Sequence, residues 1–516
     1  MDEGRDRLAA DDWRGGELMS DDAEFVSFGR RVSDLADMNP ADTAFVFAPE
    51  HGPEISVTRV VLDRASNRAA RILASHGIDE TSMLAVCLPN SVEHVVATLA
   101  GWKLGACVLP LRADLPEWER DRVLAVAEPT LALTSWDTDV CPVIRPGSLE
   151  GSDVDDTRLP DRVPEPARAI ATSGSTGTPK IIVVAERGEA LPLLGNNESA
   201  AYTGQRAGQV QLVPAPLYHT NGFLITHSAL FQGQSVVLME RFEAARAVDL
   251  IERYRVNAVT AVTIMLQRIA RLPGIETRDL SSLEVVLHGG APLPHWLADW
   301  WIDRVGPTHF SVSYGSSENA GACVARGDEW LAHRGTVGRP VNTELRILDD
   351  HGVEVPAGTV GNIYMRRPGQ TAPTYDYRGA ATPSTRPDLF SWLGDMGSVD
   401  EEGYLYLADR RVDMIISGGV NIYPAEVEAA LSDHPLVNDV VVVGRPDPEW
   451  GQRVHAVVEL VTSAEGTVDT DELREHCRAL LAGYKVPKSI ELVAKLPRTT
   501  AGKIRRAQFT ASSSAG

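Results

Sequence analysis

"MLAVCLPNSVEHVVATLAGWKLGACVLPL", residues 83–111, carries the reading on which the fold turns. "MLAVCLP" is a short apolar run closed by Pro89, and "ACVLPL" at 106–111 is a second such run; both read as strands. Between them Asn90 and Glu93 suit a capping box, which predicts a helix running to Leu104. Strand, helix, strand predicts a parallel, right-handed βαβ unit. The rhythm returns in "VQLVPAP" (210–216), "SVVLM" (235–239), "AVTAV" (258–262) and "LEVVLHGG" (283–290), apolar runs separated by helix-like segments. Upstream, "VTRVVLDRASNRAARILASHG" (57–77) places Val61, Ala65, Ala69, Ile72 and Leu73 at helical spacing, with Gly77 at the C′ position.

The texture changes between about 335 and 408, where "ELRILDDHGVEVP" and "GYLYLADRR" carry hairpin and turn signals. After 410 the order reads strand, helix, strand, strand, helix, strand, with one helix starting at Pro424 and another over 470–482. The expected fold class is therefore α/β. A large N-terminal domain of several subdomains with parallel-rich sheets is followed by a small, mobile α+β C-terminal domain. The expected boundaries are a flexible acidic tail over 1–22, the large domain over 23–409 and the small domain over 410–516, hinged near 409–412.

Composition narrows the function. The 516 residues exceed one ordinary core, and length divided by about 150 suggests roughly three structural units. With 71 acidic against 49 basic residues and a net charge of −22, the chain repels phosphate backbones, which argues against nucleic acid as a partner. The five cysteines are scattered without disulfide or zinc spacing. No signal peptide is recognisable behind the charged N-terminus, and no membrane-spanning run of about eighteen apolar residues occurs. A reducing cytoplasm is the expected location.

"ATSGSTGTPK" (171–180) packs hydroxyl side chains and two glycines ahead of a lysine. Glycines turn backbone N–H groups inward, hydroxyls add donors, and Lys180 adds charge, which together make a nest for phosphate oxygens. The spacing is not that of a Walker loop. On these residues alone a flexible surface loop remains an equal reading.

The ordered set is more informative. "TSGSTGTPK" (172–180), "YGSSE" (314–318), "LGDMG" (393–397), "DRRVDMIISGGVNIYPAEVE" (409–428) and "PRTTAGKIRR" (497–506) follow one another along the chain. Together they resemble the adenylate-forming superfamily of acyl-CoA synthetases, luciferases and nonribosomal-peptide adenylation domains. "PLYHTNGF", "HGGAP", "EWLAHRGTVGRP" and "YLYLADRRVDMI" look most like bacterial acyl-CoA ligases of bile-acid or fatty-acid type.

The resemblance implies ATP and Mg²⁺ as cofactors, a small organic acid as substrate, and coenzyme A as the thiol acceptor. It implies that Thr172, Ser173, Gly174, Ser175, Thr176, Gly177 and Lys180 hold the β- and γ-phosphates. Tyr314 would stack on adenine, Ser317 would bond the α-phosphate, and Gly289, Gly290, Ala291, Gly315 and Ser316 would complete the nucleotide site. Glu318 would ligate the metal, and Asp395 would accept the ribose hydroxyls, as an acceptor-only carboxylate can. Arg410 would reach the nucleotide from the domain junction. His219 would border the carboxylate and gate the thiol, Gly418 and Gly419 would line the acceptor tunnel, and Lys503 would be the catalytic cation. Arg505 and Arg506 read as solvated neighbours.

Departures from the family pattern keep other acceptors open. Ser317 stands where a threonine is usual, Val412 lies at the hinge, and "FSVS" precedes Tyr314. A carrier-protein thiol or an amine could replace coenzyme A, including nitrous-acid activation with capture by an aromatic amine. A reading of another class is a catalytically silent nucleotide-binding regulator, against which the joint presence of Lys180, Glu318, Asp395 and Lys503 argues.

Overall fold

A computed structural model describes residues 25–151, 153–172, 180–190, 202–380, 386–410, 413–417, 420–461, 468–499 and 504–510. The opening unit is built as strand Met83–Cys87, helix Val92–Lys103 and strand Cys107–Pro110, and the two strands pair in parallel. Side chains alternate across them. Leu84, Val86 and Val108 enter one core, while Met83, Ala85, Cys87, Cys107 and Leu109 enter another, so the sheet is covered on both faces.

The helix cap differs from the expectation. Ser91 is the N-cap and its hydroxyl accepts from His94 N–H at 3.1 Å. Glu93 instead accepts from Gly147 N–H at 2.7 Å. Asn90 is buried and spends its amide on a distant loop, as described below. Tertiary partners outcompete the local box because a buried amide must be satisfied where it lies.

Two large sheets organise the N-terminal part. One runs in the order Tyr375–Arg378, Lys180–Val184, Arg168–Thr172, Cys107–Pro110, Met83–Cys87, Leu131–Thr134, Val143–Ile144. The other runs Arg339–Val341, Ala322–Arg326, Phe310–Gly315, Val285–Gly289, Ala258–Ala261, Val210–Val213, Ser235–Met239, Thr43–Ala48, Ile55–Thr58. Both are parallel at the centre and antiparallel toward an edge.

A single apolar core joins the facing sides of both sheets with helices Phe28–Met38, Arg59–Ser75, Val92–Lys103 and Thr220–Gln232, which are thereby sandwiched between them. Helices Ala244–Tyr254, Thr263–Ala270 and His295–Val305 cover the outer face of the second sheet.

The 57–77 helix spans Arg59–Ser75, with Gly77 at φ +88° just beyond its end. Its buried stripe is Leu62, Ser66, Ala69, Ala70 and Leu73, and Val61 is 50% exposed. The stripe is shifted from the expected one toward Ser66 and the buried Asn67, whose Oδ1 accepts from Lys103 Nζ of the neighbouring helix at 2.7 Å, a polar partnership that hydropathy does not weigh.

The hairpin-rich stretch forms a four-stranded antiparallel sheet, Glu344–Leu348, Gly361–Arg366, Ser391–Val399 and Leu405–Arg410. Beyond it, strands Ile415–Ser417, Val420–Ile422, Val437–Asp447, Gly451–Leu460 and Ser489–Val493 make a small five-stranded sheet. Helices Pro424–Ser432 and Thr470–Leu480 pack on it around their own core. The molecule is thus α/β, with a large N-terminal and a small C-terminal part. Among the described residues no helix is long and apolar enough to cross a membrane, and the five cysteines are free.

Candidate active site

Strands Val210–Val213, Ala258–Ala261, Val285–Gly289 and Phe310–Gly315 lie in adjacent parallel register, so their carboxyl ends form one rim. Ligands of open α/β sheets bind beyond such ends. Tyr314 is the penultimate residue of the last of these strands. Its hydroxyl donates to Asp395 Oδ2 at 2.7 Å, which ties the large sheet to strand Ser391–Val399. Asp395 is the ladder partner of Arg410.

The adjacent "HGG" turn is locked. Ser313 Oγ donates to His288 O at 3.0 Å, and Thr263 Oγ1 donates to Pro292 O at 2.7 Å. His288 Nε2 must therefore carry the proton it gives to Thr263 Oγ1 at 2.9 Å. Burial pushes this imidazole down to about 4, so it stays neutral. Gly290 has φ +82°, a conformation only glycine adopts freely, and its exposed backbone faces Asn221.

The second corner gathers around Glu318, which is 9% exposed. Tyr377 Oη donates to Glu318 Oε1 at 2.8 Å, and Lys180 Nζ lies 3.7 Å from the same oxygen. Lys180 Nζ also sits 3.9 Å from the centroid of the Tyr377 ring. Burial and the Glu318 charge push the Tyr377 phenol above its ordinary range, so it acts as a donor.

The turn after Glu318 passes through Asn319 at φ +56°. Arg367 clasps it, with Nη2 to Asn319 Oδ1 at 2.6 Å and Nε to Asn319 O at 3.2 Å. Ser317 Oγ is 2.6 Å from Thr220 Oγ1, and Ser316 Oγ is buried with no hydrogen bond among the described residues. Among the described residues no cluster of three or more His, Cys, Asp or Glu forms a metal cage. Glu318 can still fit a magnesium ion, since this metal commonly takes one or two protein carboxylates and completes its shell with phosphate oxygens and water.

The third wall is the loop before helix Thr220–Gln232. His219 is that helix's N-cap, its N–H donates to Pro216 O at 3.1 Å, and its ring lies 4.5 Å from the Tyr218 ring. Asn90 holds the loop from beneath. Its Nδ2 donates to Ala215 O at 3.1 Å and Met239 O at 2.8 Å, while its Oδ1 accepts from Leu217 N–H at 2.8 Å.

Of the expected site residues, Tyr314 meets Asp395, Lys180 meets Glu318, and Ser317 meets Thr220 beside His219. Gly289, Gly315 and Ser316 lie at the ends of the two adjoining strands, with Gly290 and Ala291 in the turn after the first. Lys503, Ser173, Gly174, Ser175, Thr176, Gly177, Gly418, Gly419 and Val412 lie outside the described residues, as do the 1–22 tail and the side chains of Thr172 and Arg410.

Residues flanking Lys503 are described. Arg498 pairs with Asp439, and Arg506 is half-buried, with Nη1 2.6 Å from Glu428 Oε1 and 2.6 Å from Val442 O. The expectation that Arg506 is merely solvated is corrected: it staples the segment to helix Pro424–Ser432 and strand Val437–Asp447. Only Arg505 is exposed as expected. Sequence reasoning missed Tyr377, Thr220 and Arg367, and read Asn90 only as a helix-capping residue. The alternating "TYDYR" pattern marks an aromatic strand face, but nothing local says what that face meets.

A family model described as AMP-binding enzyme matches residues 32–375, and one described as AMP-binding enzyme C-terminal domain matches residues 426–503. The feruloyl-CoA synthase of Amycolatopsis sp is 34% identical over 492 residues, covering 92% of this chain and 96% of that protein. The O-succinylbenzoate coenzyme A synthetase of Bacillus subtilis, solved in complex with ATP and magnesium ion, matches with a TM-score of 0.79 at 28% identity, covering 93% of this chain and 98% of that one. An amide bond synthetase from Marinactinospora thermotolerans matches with a TM-score of 0.77 at 27% identity, covering 94% of this chain and 98% of that one.

Proposed function

The chain belongs to the AMP-binding enzyme family, and from that premise we propose that it is an AMP-forming acid–thiol ligase. In the first half-reaction a carboxylate oxygen attacks the α-phosphorus of ATP, and the bond to pyrophosphate breaks, giving an acyl-adenylate. In the second, the sulfur of coenzyme A attacks the acyl carbon and AMP leaves. The observation that supports this most is the Tyr314–Asp395 hydrogen bond of 2.7 Å, because it joins the expected adenine and ribose residues across two sheets.

The chain's part is alignment and charge compensation. Asp395, bonded by Tyr314, would accept the ribose hydroxyls, as an acceptor-only carboxylate can. Lys180, at the start of its strand and 3.7 Å from Glu318, would meet the triphosphate. Glu318 would hold magnesium, which when bound neutralises phosphate charge. His219 borders the acid. We assign residues 23–409 to the large domain and 410–516 to the mobile small domain that delivers Lys503, with Gly418 and Gly419 on the thiol path. We read the location as cytoplasmic, a reading supported by the scattered, free cysteines among the described residues.

The substrate we favour is a small aromatic acid, in keeping with the feruloyl and succinylbenzoate groups in the relatives' names. A second reading, with an amine as acceptor, is supported by the likeness to an amide bond synthetase. Pyrophosphate exchange over aromatic, aliphatic and steroid acids, with nitrite included, tests the first half-reaction. Exchange with nitrite alone would sink the carboxylate reading, and turnover indifferent to coenzyme A would move the acceptor to nitrogen.

A further inference from the structure

Tyr377 lies on the edge strand Tyr375–Arg378, antiparallel to Lys180–Val184 and opposite Ile182. Lys180 is two residues from Ile182 on the same face, which makes it a diagonal neighbour of Tyr377. The result is a triangle drawn from three separate segments. The hydroxyl of Tyr377 donates to Glu318 Oε1 at 2.8 Å, its ring lies 3.9 Å from Lys180 Nζ, and that ammonium is 3.7 Å from the same carboxylate oxygen. Two further contacts stiffen it. The Tyr375 ring centroid is 5.0 Å from that of Tyr377, and Thr374 Oγ1 donates to Glu318 O at 3.2 Å.

We propose that Tyr377 is a positioning residue for magnesium and ATP, its hydroxyl setting the orientation of the Glu318 carboxylate and its ring holding the Lys180 ammonium beside it. A carboxylate with one oxygen fixed by a phenol loses a rotational freedom that metal binding would otherwise have to remove. Lys180, held over the ring, keeps a flexible stem with which to follow the phosphates. The assignment rests on the magnesium–ATP reading given above. It deepens that reading with a residue outside the five sequence motifs.

The test uses the full chain with Tyr377→Phe, which keeps the ring and removes the hydroxyl, and Tyr377→Leu, which removes both. Magnesium titrations of ATP binding are followed by calorimetry without acid, so no turnover is needed. Tyr377→Phe is expected to raise the half-saturating magnesium concentration about tenfold or more, the usual effect of losing a partner that orients a metal ligand. Its KM for the acid should stay unchanged. Tyr377→Leu should in addition weaken ATP binding at saturating magnesium.

In a Glu318→Gln background Tyr377→Phe should add little, a non-additivity that a merely structural role would not produce. Wild-type magnesium dependence in Tyr377→Phe, or full additivity with Glu318→Gln, overturns the proposal. Absence of magnesium-dependent exchange in the unaltered chain would instead overturn the premise, so the two failures are distinguishable.

Discussion

Lys503 and Asp395 carry the sharpest single-residue expectations. A lysine about 4 Å from the charge developing at phosphorus is worth on the order of 4 kcal/mol at an effective dielectric near 20. Lys503→Ala should therefore lower adenylation by roughly a thousandfold, read as pyrophosphate exchange, while ATP binding persists. Asp395→Ala should raise the KM for ATP by about ten- to a hundredfold, the loss of a charged hydrogen bond worth roughly 1.5–3 kcal/mol. Both residues were named from motifs that resemble those of the family, and Lys503 itself lies outside the described residues. The bond between Tyr314 and Asp395 was not legible, since 81 positions separate them and no local pattern encodes a meeting of two sheets.

Among the elements, the loop before helix Thr220–Gln232 depends on Asn90. Three buried hydrogen bonds converge on this side chain, so Asn90→Ala leaves partners unsatisfied at roughly 1–3 kcal/mol each before relaxation. A lowered urea midpoint together with a raised KM for the acid is the expected outcome.

The helices sandwiched between the sheets add a pH dependence. Burial pushes His94 down to about 4 and His227 to about 3. Their unfolded imidazoles titrate near 6.5, so below that value the unfolded chain binds more protons and stability falls. The contribution is complete above about 6.5 and is lost as pH drops toward about 4, at about 1.4 kcal/mol per histidine per pH unit. Urea midpoints measured from about pH 7 to 5 should fall steeply, and His227→Phe should flatten the slope. Strands and helices were legible from their apolar rhythm, whereas the cap at Ser91 and the buried stripe of Arg59–Ser75 were decided by neighbours.

For the whole molecule, the small part docks on helices Thr263–Ala270 and His295–Val305. Gln267 donates to Asn438 O, while Arg271 donates to Asn438 Oδ1 at 2.5 Å and Val437 O at 2.9 Å and lies 4.7 Å over the Trp296 ring. At about 0.5–1.5 kcal/mol net per hydrogen bond, Arg271→Ala should depopulate this docked arrangement by roughly tenfold. Energy transfer between labels on the two parts would read the shift, and an unchanged signal would show that the contact does not hold them.

The sequence by itself determined the parallel α/β body, the small C-terminal unit and the order of nucleotide motifs. Short apolar runs separated by helix-like segments are local patterns, and here the packing of the sheets agrees with them. Tertiary structure alone decided that Tyr377 and Lys180 meet at Glu318, that Thr220 meets Ser317, and that Arg506 is a staple. Those contacts join residues distant along the chain, and their energy exists only once separate sheets have been packed against one another.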